Sequence, residues 1–305
     1  MVRVLLYAAA MSQIPVRPFG RTGLSVSALG LGAGEIGATT LDELEIEALL
    51  RTAIDCGVTL IDTARSYGLS EERIGRFLAP VRDAAVLSTK VGYGVDGVAD
   101  WTGECVRRGI DRALGLLATD RIDIVHLHSC PTGVLERGDV VTALHDAKRA
   151  GKIRCAAYSG DNEALAWAAA SGQFDSLQLS WNLCDQRAAA VIERAHQAGM
   201  GVIAKRPLAN APWRFAERPV RHEAELYWVR WQELQLDRGE LPWDELAVRF
   251  AAHFPGVSSA IAGTQQIAHL CHNAALVARG ELPEPVVAAV RARFQEAGAT
   301  WPAKI

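Results

Sequence analysis

Short apolar runs alternate along the chain with longer stretches whose apolar positions recur every three or four residues. The short runs start at Val26 (VSALGLG), Val58 (VTLIDTA), Ala85 (AVLSTKV), Ile122 (IDIVHLHS), Ile153 (IRCAAYS), Ser176 (SLQLSWN), Gly201 (GVIAKRP) and Ser258 (SSAIAGT). Their length and composition predict buried strands. Between them, LDELEIEALLRTAIDCG places Leu41, Leu44, Ile46, Leu49, Leu50 and Ile54 mostly on one helical stripe, with Gly57 as the stop. WTGECVRRGIDRALGLL, DVVTALHDAKRAG and DQRAAAVIERAHQAG repeat the theme, the last two closing on Gly151 and Gly199. Eight strand–helix units in about 300 residues are what a (β/α)8 TIM barrel requires.

Three regions depart from the repeat. VRPFGRTGLSVSAL reads as an N-terminal β-hairpin with Gly-Arg-Thr-Gly at its tip, able to plug one end of a barrel. Residues 208–241 form a long excursion rich in Trp and Arg, either a lid over a site or a helical insert packed on the barrel or on a second subunit. Residues 283–294 predict an extra C-terminal helix. A doubly wound open sheet is the competing architecture. Its glycine fingerprint is not met by GLGAGEIG (Gly30–Gly37), and no acidic strand end follows about 20 residues later. The start, MVRVLLYAAA, reads as part of a dispensable leader over 1–15 rather than a targeting signal, leaving 16–305 as a single barrel domain.

Composition narrows the class. The chain has 305 residues, half of them hydrophobic, enough for one large core. A net charge of −3 gives no basic field for nucleic acid, and no apolar run reaches the roughly 20 residues that span a bilayer. The six cysteines form no C-x-x-C pair, so zinc-ribbon and thioredoxin readings find no support, and reduced thiols in a cytoplasmic protein are expected.

In such a barrel the C-terminal strand ends face the active site. The second strand ends in Asp62, with Tyr67 in the loop beyond; the third ends in Lys90 and the fourth in His126 and His128. The fifth ends in Ser159, the sixth carries Gln178 and Asn182, the seventh ends in Lys205 and Arg206, and the eighth in Gly263 and Thr264. The first four of these groups make chemical sense together. A phenol ionises near pH 10 in isolation, too weak an acid for fast proton donation at neutral pH. A nearby cation favours its phenolate. Lys90 can supply that charge, Asp62 can hold the ammonium in place, and His128 can bond the phenol and orient a carbonyl. His126 and His128 share one face of their strand, as a metal pair would, but no further ligands complete a zinc site, so no metal is expected.

At this point the sequence resembles the aldo-keto reductases. The resemblance covers nearly the whole chain from about Val16. It rests on RPFGRTGLSVSALGLGAGEIG, IDTARSYGLSEERIG, the STK at Ser88–Lys90, DIVHLHSCP, FDSLQLSWNLCDQR, GVIAKRPLA and AIAGTQQIAHLCHN, in that order. It implies an NAD(P)H-dependent carbonyl reductase acting on a small carbonyl or alcohol substrate, with a tetrad at Asp62, Tyr67, Lys90 and His128. It also implies a nicotinamide carboxamide held near Ser159 and Gln178. The family's Asn is replaced here by Gly160, leaving Asn182 or Asp161 to supply that contact. The usual aromatic stacker is replaced by Lys205, followed by Arg206, Pro207 and Leu208, all expected on the cofactor side. The resemblance places the phosphates at Gly263 and Thr264 and the adenosine at Asn273. Gln265 and His269 stand where many NADPH-preferring relatives carry Arg and another basic residue. NADP(H) is favoured, with NAD(H) or dual use open. Two rival classes are a Schiff-base aldolase using Lys90 or Lys205, and a non-catalytic NADPH-sensing barrel that binds a partner through the Trp-rich segment.

Overall fold

The computed structural model of the chain describes residues 13–304. A two-stranded antiparallel hairpin, β1 (Val16–Pro18) and β2 (Ser25–Ser27), precedes eight parallel strands. These are β3 (Leu29–Gly32), β4 (Leu60–Asp62), β5 (Val86–Val91), β6 (Ile122–His128), β7 (Ile153–Ser159), β8 (Ser176–Ser180), β9 (Gly201–Lys205) and β10 (Ser259–Gly263). They close in sequence order into a barrel, β10 pairing with β3. The run predicted as one strand from Val26 is split at Ala28, whose N–H donates to Pro15 O at 2.7 Å. Ser27 turns its hydroxyl onto Leu29 O, which ends the hairpin and lets β3 start in the barrel. Of the leader reading, residues 1–12 lie outside the described residues, whereas Ile14 is buried in the core.

Helices follow the strands: α1 (Glu43–Asp55), α2 (Ser70–Leu78), α3 (Gly103–Leu116), α4 (Thr132–Arg137), α5 (Asp139–Arg149), α6 (Asn162–Ala170) and α7 (Ala189–Gln197), of which α1, α3, α5 and α7 fall in the four stretches whose periodicity predicts them. The 208–241 excursion contains a 3-10 turn (Pro212–Arg214) and α8 (Glu225–Leu234). Then come α9 (Trp243–Ala252), α10 (Ile267–Ala278) and the extra C-terminal helix α11 (Glu284–Ala297). Asp42 caps α1 by accepting the Leu44 and Glu45 N–H groups.

Two cores result. The larger fills the space between the barrel wall and the helices. The smaller lies inside the barrel, built from Leu60, Ile124, Cys155, Ala157, Ile203 and Ile261, and is closed by Phe19, Leu24 and Val26 of the hairpin. Phe19 seats where β9 begins with glycine: a Cβ on Gly201 would stand 2.6 Å from the ring. The hairpin therefore plugs the N-terminal end. Because side chains alternate with period two, the residues two and four places past this apolar layer also point inward. They are Asp62, His126, His128, Ser159 and Lys205, and on β5 and β8 the series Ser88, Lys90 and Gln178. The apolar floor at one end and the polar cluster at the other belong to the same inward faces.

Candidate active site

Asp62 and Lys90 are each about 2% exposed, and Lys90 Nζ donates to Asp62 Oδ2 at 2.6 Å and to Thr63 O at 2.8 Å. Burial opposes both charges, but mutual attraction outweighs it. Asp62 is held below the ordinary carboxylate range by Lys90 and His126, and the Lys90 ammonium is held above its ordinary value by Asp62. Asp62 Oδ1 also accepts from Ser88 Oγ at 2.7 Å and from Gln178 Nε2 at 2.8 Å. The carboxylate is thus bound on both oxygens, which is what keeps a buried charge tolerable.

Tyr67 rides on the β4–α2 loop. That loop is clamped against the turn at Gly37: Leu69 N–H donates to Gly37 O, and a Cβ on Gly37 would lie 1.8 Å from Tyr67 O. Only glycine permits this approach. The Lys90 ammonium sits 5.0 Å from the Tyr67 ring centroid. The His128 ring stands edge-on to it, centroids 6.2 Å apart. The three residues predicted from strand ends and the loop residue Tyr67 are therefore brought together. His126 is fully buried, and its Nε2 lies 3.0 Å from Ser88 Oγ. Since that hydroxyl gives its proton to Asp62, the imidazole must donate. Burial pushes His126 down to about 4 and His128 down to about 3, with Lys90 adding to the shift at His128, so both rings are neutral at pH 7.

A groove of about 1040 Å³ runs from this cluster across the mouth of the barrel. Asp62, Tyr67 and Gln178 line one part. Lys205, Arg206, Pro207 and Leu208 line the middle, and Gly263, Thr264, Gln265, His269 and Asn273 line the other part. Lys90, His128 and Ser159 stand behind or beside it; Ser159 Oγ donates to Gln178 Oε1 at 2.8 Å. Lys205 pairs with Asp161 at 2.8 Å, and burial pushes its ammonium down against that attraction. Arg206 donates to Ser180 Oγ and to Lys304 O. At Gly160 a Cβ would lie 2.3 Å from Tyr158 Oη, so the ring of Tyr158 holds the place of any side chain there. Of the two substitutes considered, Asp161 is engaged by Lys205, and Asn182 Oδ1 accepts from Cys184 N–H. Two aromatics of the excursion pack on the first residue of α9: Trp243 stacks on Trp213 at 6.2 Å and meets Trp231 edge-on at 5.5 Å, while Trp213 and Trp243 also line the groove.

The groove suits a two-ended dinucleotide. Helix α10 opens there with no side-chain cap, leaving first-turn N–H groups for a phosphate. Gly263 is exposed, and Thr264 Oγ1 accepts from the Gln266 N–H and donates to Gln266 O at a long 3.4 Å. At the other end, Gln178 and Ser159 form a polar pair beside Tyr67. Among the described residues no group of three or more His, Cys, Asp or Glu could hold a metal ion, and no helix is long and apolar enough to cross a membrane.

Sequence reasoning missed three members of this network. Ser88 lies two residues before Lys90 and so shares its face, a signal that period-two reading could have used. Asp161 was named only as a substitute amide contact, not as the partner of Lys205. Tyr93, in the loop past β5, lies 2.8 Å from His128 Nδ1 through its hydroxyl; nothing local in the sequence links it to a residue on β6.

Comparison with known proteins agrees with this architecture. L-galactose dehydrogenase of Arabidopsis thaliana is 35% identical over 159 residues, covering 49% of this chain and 50% of that protein. D-threo-aldose 1-dehydrogenase of a Pseudomonas species is 35% identical over 153 residues, covering 41% and 45%. The chain spans about half the length of the curated relatives it matches. A solved structure described as an aldo-keto reductase, from Pseudomonas aeruginosa, superposes with a TM-score of 0.73 at 32% identity, covering 90% of this chain and 98% of that one. The sequence model of the Aldo/keto reductase family, whose members are oxidoreductases using nicotinamide cofactors, matches residues 28–293, and the chain belongs to that family.

Proposed function

We propose that the protein is an NAD(P)H-dependent oxidoreductase that interconverts a carbonyl, of an aldehyde, ketone or sugar, with the alcohol. The observation that carries this reading is the single cluster in which the Lys90 ammonium is 2.6 Å from Asp62 and 5.0 Å from the ring of Tyr67. The nicotinamide, when bound, supplies or accepts the hydride. Tyr67 gives a proton to the carbonyl oxygen in reduction and takes it back in oxidation. Lys90 places a fixed positive charge beside the oxygen as charge develops on it, and Asp62 keeps that ammonium in one position. His128, neutral at pH 7, donates a hydrogen bond to the same oxygen and orients it. Gln178 and Ser159 would hold the carboxamide, Lys205, Arg206, Pro207 and Leu208 would flank the dinucleotide, and Gly263 and Thr264 would take its phosphates. Gln265, His269 and Asn273 would hold the adenosine. NADP(H) is the favoured cofactor. Two similar proteins are named as sugar dehydrogenases, which supports testing aldoses first.

The test is turnover of an aldose and aldehyde panel with each dinucleotide, followed by Tyr67→Phe. Removing the general acid is expected to lower kcat by at least about a hundredfold, with dinucleotide affinity, read by quenching of protein fluorescence, kept within a few-fold. Full turnover in Tyr67→Phe rejects the assignment. A lysine adduct trapped by borohydride in the presence of a carbonyl indicates Schiff-base chemistry instead.

A further inference from the structure

His128 has two ring nitrogens and one proton at neutral pH, because burial and the Lys90 charge keep the imidazole uncharged. A carbonyl oxygen only accepts hydrogen bonds. The ring can serve such an oxygen only in the tautomer whose proton is on the nitrogen facing it. Something must choose between the two forms, and the choice is made at the other nitrogen.

That other nitrogen is Nδ1, and it has one partner among the described residues. Tyr93 Oη lies 2.8 Å from it, and the two rings stack with centroids 5.6 Å apart at 25°. No protein partner of Nε2 occurs among the described residues. Tyr93 is itself held on two sides. Its hydroxyl is 3.2 Å from Ser66 Oγ, one residue before Tyr67, and its ring packs on Trp101 at 5.6 Å. The phenol has one proton and two acceptors in reach, Ser66 Oγ at 3.2 Å and Nδ1 at 2.8 Å; the nearer and more basic nitrogen takes it, and Tyr93 Oη then accepts from the Ser66 hydroxyl. The directions then run one way: Ser66 to Tyr93, Tyr93 to Nδ1, and Nε2–H outward.

We propose that Tyr93 is a positioning residue of the active site: it donates its hydroxyl proton to Nδ1 of His128, fixes the Nε2–H tautomer, and holds the ring by stacking. The proposal rests on the reading that His128 hydrogen-bonds the substrate carbonyl, and it extends that reading to a phenol contributed by a different strand–helix loop. A phenylalanine at 93 keeps the stack and removes the proton. A leucine removes both.

The experiment has two parts. Nitrogen-15 NMR of histidine-labelled protein at neutral pH, without substrate, reads the tautomer of His128 directly. The wild type is expected to hold the Nε2–H form alone, and Tyr93→Phe to populate the Nδ1–H form. Steady-state kinetics with the dinucleotide and a carbonyl found to turn over are then expected to give a roughly tenfold lower kcat in Tyr93→Phe, with dinucleotide affinity unchanged and a further loss in Tyr93→Leu. A wild type with the proton on Nδ1, or a Tyr93→Phe variant with unaltered tautomer and kcat, overturns the proposal. Because the NMR needs no turnover, it tests Tyr93 even if the functional reading fails. That reading falls separately if His128→Ala turns over as fast as the wild type.

Discussion

At the residue scale, the barrel mouth is governed by which groups are charged and which are kept neutral. Asp62 and Lys90 retain opposite charges because each is the other's partner, while two imidazoles within the same cluster are discharged by burial. The latter has a measurable consequence. An ordinary histidine titrates near 6.5, and His126 and His128 in the folded chain do so only at about 4 and about 3. As pH falls from 6.5, the unfolded chain takes up protons that the folded chain refuses. Stability contributed by the neutral rings is therefore complete above about 6.5 and declines as pH drops toward 4. Urea midpoints measured between pH 7.5 and 5 are expected to fall with pH, and His126→Gln is expected to lose about half of that slope. A flat profile in the wild type contradicts the assignment. Asp62, Lys90 and His128 were visible in the sequence because a strand end is an unusual place for three ionisable groups in succession. Tyr93 was not, since its significance is a 2.8 Å contact with a residue 35 positions away.

At the scale of elements, the strands carry more of the design than the helices. Five barrel strands, β4, β5, β6, β7 and β9, contribute an apolar residue to the inner floor and a polar one to the mouth, two residues later on the same face. The alternation was present in the sequence, but the short runs read as uniformly buried, because a barrel strand is covered on both faces. The hairpin was legible as a hairpin. Its seating was not: Phe19 enters the barrel only because β9 starts with Gly201. Gly201→Ala puts a methyl group 2.6 Å from a ring enclosed on all sides, and is expected to cost about 1–3 kcal/mol. Chemical denaturation with an unchanged slope is the check, and a neutral substitution means that Phe19 can move aside. The Trp-rich excursion shows the limit of pattern reading. Its aromatics were evident, but the packing of Trp213 and Trp231 onto Trp243, with Trp213 and Trp243 also exposed to the groove, depends on how α8 and α9 meet.

At the scale of the molecule, all eight strands point the same way, so eight separate ends become one surface. The groove across that surface joins residues from Gly32 to Lys304. The end proposed for the adenosine carries Gln265, whose amide donates to Glu35 O, and no fixed guanidinium stands at that position. If residue 265 faces the ribose 2′ position, Gln265→Arg is expected to tighten NADPH relative to NADH by roughly tenfold, the worth of one charge-assisted hydrogen bond. Fluorescence titration with both dinucleotides reads the ratio, and an unchanged ratio removes residue 265 from that role. The sequence alone determined the repeat, the closed barrel and the identities of the polar strand ends, because period-two and period-3.6 patterns and turn residues are local properties of the chain. The tertiary structure alone decided which of those ends touch. Ser88, Gln178 and Lys90 converge on one carboxylate, Asp161 takes Lys205, and Tyr93 takes His128, through registers and loop paths that no local stretch encodes. Contact at hydrogen-bond range depends on the closure of the whole sheet, and a shift of one strand by one residue would turn every one of its polar groups to the outer face.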